Sequence, residues 1–90
     1  MRVRYTLYAR QDIARIATDL AAYDSSYAKR VVGRIEDTIT LLGQFPYYGR
    51  QSDVPGTREA VVRGLPYKIV YTVMPEVAIL RVKDTRMEDT

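Results

Sequence analysis

Between Thr57 and Lys83 the chain falls into three short apolar runs, residues 57–63, 67–73 and 77–83, parted by Gly64-Leu65-Pro66 and Met74-Pro75-Glu76. This spacing constrains the fold more than any other feature. Runs of this length rich in Val, Ile and Tyr read as strands, and such short breaks containing Gly or Pro have room only for hairpins. Three consecutive strands joined by hairpins make an antiparallel meander. A meander this small needs the rest of the chain to cover one of its faces.

The cover lies upstream. Ile13, Ile16, Ala17 and Leu20 recur at helical spacing, with Arg10, Asp12, Arg15 and Asp19 on the wet side, so residues 9–23 are expected to form an amphipathic helix. Asp24-Ser25-Ser26 supplies a turn and an N-cap. Ala28, Val31, Val32, Ile35, Ile39 and Leu42 then form a second apolar stripe that runs to about Gly43. A short link between two amphipathic helices implies an antiparallel helical hairpin. At the start, residues 2–8 alternate: Val3, Tyr5 and Leu7 on one side, Arg2, Arg4, Thr6 and Tyr8 on the other, the pattern of a half-buried strand. Residues 46–56, PYYGRQSDVPG, carry two Pro and two Gly and read as loop. Asp84 to Thr90 read as a charged, loosely held tail.

The order β-α-α-β-β-β over residues 1–90 therefore gives one two-layer α+β domain, a helical hairpin packed on one face of a mostly antiparallel sheet. No helix is left for the other face, which should be polar. Composition narrows the chemistry. The sequence has no Cys and no His, which removes disulfides, transition-metal sites and His-based triads, and no metal or cofactor is expected. No apolar run approaches the roughly 20 residues that span a bilayer, and the first residues lack the apolar core of a signal peptide. A cytoplasmic protein without a membrane partner is expected. The net charge of +3, from 14 Lys and Arg against 11 Asp and Glu, permits an anionic partner without requiring one. Eight Tyr beside one Phe and no Trp suit half-exposed surfaces.

The uncovered face carries the candidate binding residues. In the last run Ala78, Leu80 and Val82 are assigned to the helices, which turns Ile79, Arg81 and Lys83 outward, and Arg2 and Arg4 follow by the same logic. In the middle run Lys68, Val70 and Thr72 alternate with Tyr67, Ile69, Tyr71 and Val73, and the pattern leaves open which set is buried. Arg58 and Arg63 lie on opposite faces because their spacing is odd, and Arg86 is within reach from the tail. Arg forks bind phosphate or carboxylate and Tyr rings stack on bases. Solvated strand faces also carry Lys and Arg routinely. Glu59 stands alone and reads as an ion-pair partner rather than a general base. The sequence contains no glycine-rich phosphate loop, nucleophile elbow or paired catalytic carboxylates.

Taken in order, DIARIATDLAAY at 12–23, FPYYGRQ at 45–51, GTREAVV at 56–62, PYKIVYTV at 66–73 and VAILRVKDTR at 77–86 resemble the RelE/ParE superfamily, the toxins of bacterial type II toxin–antitoxin systems. The P-x-x-G-R loop, the G-x-R-E motif and the Y-x-I-x-Y-x-V strand resemble the ParE and plasmid-stabilisation branch. The resemblance covers about residues 3–86 and implies the α+β fold read above. It implies a cognate antitoxin that wraps the helical hairpin and the sheet groove, similar to ribbon-helix-helix ParD proteins, with operator DNA reached only through that antitoxin. For the ParE branch it implies poisoning of DNA gyrase, with no bond broken by the toxin. For the RelE branch it implies ribosome-dependent mRNA cleavage, for which Arg58, Arg63, Arg81 and Lys83 would be the sheet bases. A toxin-fold binding module without toxicity is a third reading. Many relatives have His where Asp84 stands, and some nucleases have a Tyr just beyond; this chain has neither after Tyr71. Arg, Lys and Glu are poorly matched to proton transfer at neutral pH, which favours gyrase over mRNA. Asp84 is expected to pair with Arg81 or Arg86. The residues expected to meet a target or antitoxin are Arg58, Lys68, Tyr71, Arg81, Lys83 and Arg86 of the sheet side, and Ile13, Ile16 and Leu20 of the first helix.

Overall fold

Thr6 ends the first strand three residues earlier than the alternation implies. Its hydroxyl accepts the Ala9 N–H at 3.2 Å and donates to the Ile79 carbonyl at 2.7 Å, so it caps a helix while still bound to the sheet. Leu7 and Tyr8, expected in a strand, therefore open that helix and are exposed. The computed structural model describes residues 1–87 of the chain. Its elements are β1 (Val3–Tyr5), α1 (Leu7–Ala21), α2 (Ser25–Gln44), β2 (Arg50–Gln51), β3 (Arg58–Val62), β4 (Tyr67–Thr72) and β5 (Val77–Asp84), followed by a 3-10 turn (Thr85–Met87). The charged tail expected over 84–90 is thus partly structured, and Glu88 to Thr90 lie outside the described residues. The Asp24 carboxylate caps α2 by accepting the Tyr27 N–H at 3.1 Å.

The two helices cover one face of a five-stranded sheet ordered β1-β5-β4-β3-β2. β1 runs parallel to β5 and the remaining pairs are antiparallel. The two-layer α+β architecture read from the sequence is the one observed. β2 is an addition: the loop expected to be irregular contributes two residues that pair with Arg58 and Glu59. The β3–β4 turn needs Gly64, whose φ of 78° is the left-handed conformation that a side chain disfavours.

The core forms where the α2 stripe meets the sheet. Ile35, Ile39 and Leu42 are fully buried against Val62, Ile69, Tyr71, Val77 and Val82. Burying a side chain of this size contributes about 1.5–3 kcal/mol. In β4 the structure places Tyr67, Ile69 and Tyr71 inward and leaves Lys68, Val70 and Thr72 on the other face. In β5 the expected alternation fails. Val70 pairs with Arg81 but Tyr71 pairs with Ile79, so Leu80 is an extra residue and the strand changes phase there. Ile79, expected outward, belongs to the core, whereas Ala78, expected under the helices, lies between Arg4 and Thr72 on the opposite face. Val82 is buried as expected. Among the described residues no helix is long and apolar enough to cross a membrane.

Candidate functional site

The uncovered face is a grid of cross-strand neighbours. One row runs Arg81, Val70, Glu59, Arg50; the next runs Lys83, Lys68, Val61. Glu59 pairs with Arg50 at 3.1 Å and with Lys68 at 3.2 Å, the ion-pair role its isolation in the sequence suggests. Lys68 and Lys83 stand directly opposite each other. Like charges in that position repel, and the Glu59 carboxylate offsets this through its pair with Lys68.

The cations of this grid are held to differing degrees, and Arg81 most firmly. Its Nε donates to Asp12 Oδ2 at 2.7 Å and one Nη donates to Asp12 Oδ1 at 3.0 Å. Asp12 Oδ2 also accepts the Val82 N–H at 2.9 Å, and Arg15 approaches Oδ1 at 3.3 Å. β1 has already ended beside this part of β5, so the carboxylate stands where the acceptor of a further strand would be. Asp12, expected on the wet side of its helix, is 2% exposed. Burial pushes its carboxyl pKa up, but the Arg81 hydrogen bond, the Val82 amide and the charges of Arg81 and Arg15 outweigh it, and the net shift is downward. Its sequence position carried the signal: Asp12 is three residues after buried Ala9 and four before buried Ile16, on the inner stripe of α1.

Arg58 and Tyr71 belong to a different structure. Tyr71 is 0% exposed; its hydroxyl donates to the Pro46 carbonyl at 2.7 Å and accepts the Gly49 N–H at 2.9 Å. Arg58 Nε donates to the Gly49 carbonyl at 2.9 Å, and its guanidinium lies over the Tyr47 ring at 5.2 Å. Together they fix the 46–49 loop and so deliver Arg50 to the grid. Tyr71, expected to meet a partner, presents no surface, and Arg58 is turned towards this loop. A Cβ on Gly49 would lie 2.5 Å from the Glu59 carbonyl oxygen, which is why the loop carries glycine there.

The remaining expected residues scatter. Arg63 is exposed at the β3 end, and its carbonyl accepts a hydrogen bond from Arg34. Arg86 forks onto Asp84 at 2.8 and 3.1 Å, the alternative of the two expected partners that Asp12 leaves available. The Arg86 hydrogen bonds lower the Asp84 pKa and raise that of Arg86. Ile16 is buried in the core, and Ile13 and Leu20 are half-buried against it, so α1 offers less free apolar surface than its stripe suggests. What remains of Ile16 and Leu20 lines a groove with Tyr67, Val82, Arg81 and Lys83, along the rim where α1 meets β5.

The sequence and the fold both have counterparts among known proteins. The family model for the ParE toxin of the type II toxin–antitoxin system parDE matches residues 3–89. Y4kP of Sinorhizobium fredii, a candidate toxin, is 36% identical over 81 residues, covering 90% of this chain and 84% of its own. A solved structure of the chromosomal ParDE toxin–antitoxin system from P. aeruginosa superposes with a TM-score of 0.84 at 25% identity, covering 93% of this chain and 95% of that one. With the two-layer fold and the family match extending over nearly its whole length, the chain belongs to the ParE toxin family of type II toxin–antitoxin systems.

Proposed function

We propose that this ParE-family chain arrests growth by binding DNA gyrase in the cytoplasm, and that a cognate ParD-like antitoxin neutralises it. The observation that carries this reading is the ion pairing at the basic face, where Arg81 forks onto Asp12 and Arg86 onto Asp84. Where ionisation shifts there, it shifts away from neutrality: Asp12 and Asp84 downward, Arg81 and Arg86 upward. Groups held that way keep a fixed charge, which suits contact and not proton transfer. The absence of His from the sequence points the same way. The rim groove, with apolar Ile16, Leu20 and Val82 beside Arg81 and Lys83, suits an amphipathic acidic segment such as an antitoxin tail.

The test is a supercoiling assay with purified chain, gyrase and ATP. Loss of supercoiling with trapped linear DNA, reversed by the antitoxin, is the expected result. Normal supercoiling at high toxin excess, together with cleavage of mRNA on translating ribosomes, would overturn it. Charge reversal at Arg81 plus Lys83 should weaken both antitoxin affinity and toxicity, and calorimetry showing unchanged affinity would remove the groove from the interface.

A further inference from the structure

Burying a carboxylate is costly, and Asp12 lies on a stripe where Ala9 and Ile16 are already buried. A well-packed apolar residue can hold two elements together without the desolvation cost of a buried carboxylate, so the Asp12–Arg81 pair is weak evidence for a purely stabilising role. Three of the four hydrogen bonds to Asp12 come from β5, two of them from one guanidinium. Arg has five N–H donors in a rigid fork. Asp12 occupies two of them, and the Arg81 side chain nevertheless remains 44% exposed. Its backbone neighbour Val82 is held by the same carboxylate, so both the strand and the side chain are fixed to one point. The result is a guanidinium gripped along one edge, with its other donors facing solvent beside Lys83 and Lys68.

We propose that Asp12 is a positioning residue for Arg81, holding the guanidinium across the rim of the sheet so that its free N–H groups meet a carboxylate on the protein that the toxin targets. The proposal rests on the reading of the basic face as the working face of a toxin. A guanidinium already held in its binding orientation loses less side-chain freedom on contact than a mobile one, which is where its advantage lies. A lysine in the same place would supply charge without the fork.

The experiment measures growth arrest on induction, without the antitoxin gene, for the wild type, Asp12→Asn, Arg81→Ala, the double variant and Arg81→Lys, each with its Tm. Asp12→Asn should cut arrest several-fold, up to about tenfold, the scale set by ordering one long side chain on contact. It should cost nothing further when Arg81 is already Ala. Arg81→Lys should lose as much as Arg81→Ala while its Tm stays near wild type, and this variant decides the matter if Asp12→Asn fails to fold. Ile39→Ala, which lowers Tm by opening a cavity in the core, should arrest growth as the wild type does at a temperature where it is folded. Full arrest by Asp12→Asn or by Arg81→Lys overturns the proposal. So does an added loss in the double variant, or a loss in Ile39→Ala that tracks its Tm. A wild type that arrests nothing overturns the toxin reading itself, a distinct outcome.

Discussion

Replacing Tyr71 by Phe removes one oxygen and leaves two backbone groups without their partner. The hydroxyl donates to the Pro46 carbonyl at 2.7 Å and accepts the Gly49 N–H at 2.9 Å, from a side chain with 0% exposure. Gly49 is buried and Pro46 half-buried, so the amide loses its partner outright while the carbonyl can take up water in part. An orphaned buried group costs about 1–3 kcal/mol. One full and one partial penalty put the variant about 2 kcal/mol below wild type. For a chain of this size that is a fall in Tm of roughly 8–16 °C. Urea unfolding should show an earlier midpoint with an unchanged slope, since the exposed surface is the same. Hydrogen exchange localises the effect: the Gly49 amide should exchange faster in the variant under conditions where the core of β4 stays protected. A loss below about 0.5 kcal/mol, the lower end for one net hydrogen bond, with Gly49 protection unchanged, would refute the idea that this hydroxyl holds the loop.

Gly49→Ala should destabilise by about 1–3 kcal/mol, the range for overpacking, because the new Cβ meets the Glu59 carbonyl oxygen at 2.5 Å and the Tyr71 hydroxyl at 2.8 Å; calorimetric unfolding measures it. Gly33→Ala should do the reverse and stabilise by about 1 kcal/mol, since it sits inside α2 with nothing within 4 Å of the added carbon; an unchanged or lower urea midpoint would contradict that. Asp12 has a folded pKa below its unfolded one, so its contribution is complete at neutral pH and is lost as pH falls through the ordinary carboxylate range towards the lower folded value. Tm measured from pH 7 down to pH 3 should therefore fall, and Asp12→Asn should start lower and fall less steeply. Asp84, lowered by Arg86, adds a slope of the same sign that survives in that variant.

The helical hairpin and the β3–β4–β5 meander were legible because their apolar periods are long enough to count. The end of β1 was not: Leu7 and Tyr8 continue the strand alternation, and only the hydroxyl of Thr6, bonded at once to Ala9 and Ile79, turns the chain. Leu80 was hidden for a related reason, since a bulge is a property of pairing and leaves no mark in an alternating run. β2 is two residues long, below the length at which a pattern exists. At the site, the basic residues were legible but their partners were not. Asp12 was assigned to water by its type although its spacing put it on the inner stripe. Tyr71 and Arg58 looked like surface contacts because a sequence does not show which loop will lie over them.

The pairing of β1 with β5 also has a consequence for the order of events at synthesis. Within the sheet β1 touches only β5, and the Thr6–Ile79 bond spans 73 positions of the chain. Asp12 reaches Arg81 over 69 positions. Long-range pairings of this kind form late, after the local hairpins. A nascent chain can build its helical hairpin early, yet the rim groove and the oriented Arg81 have no counterpart until β5 has been released. The surface proposed to do harm is therefore completed only once β5 has left the ribosome. An antitoxin already present at that moment would meet the toxin as the surface first forms.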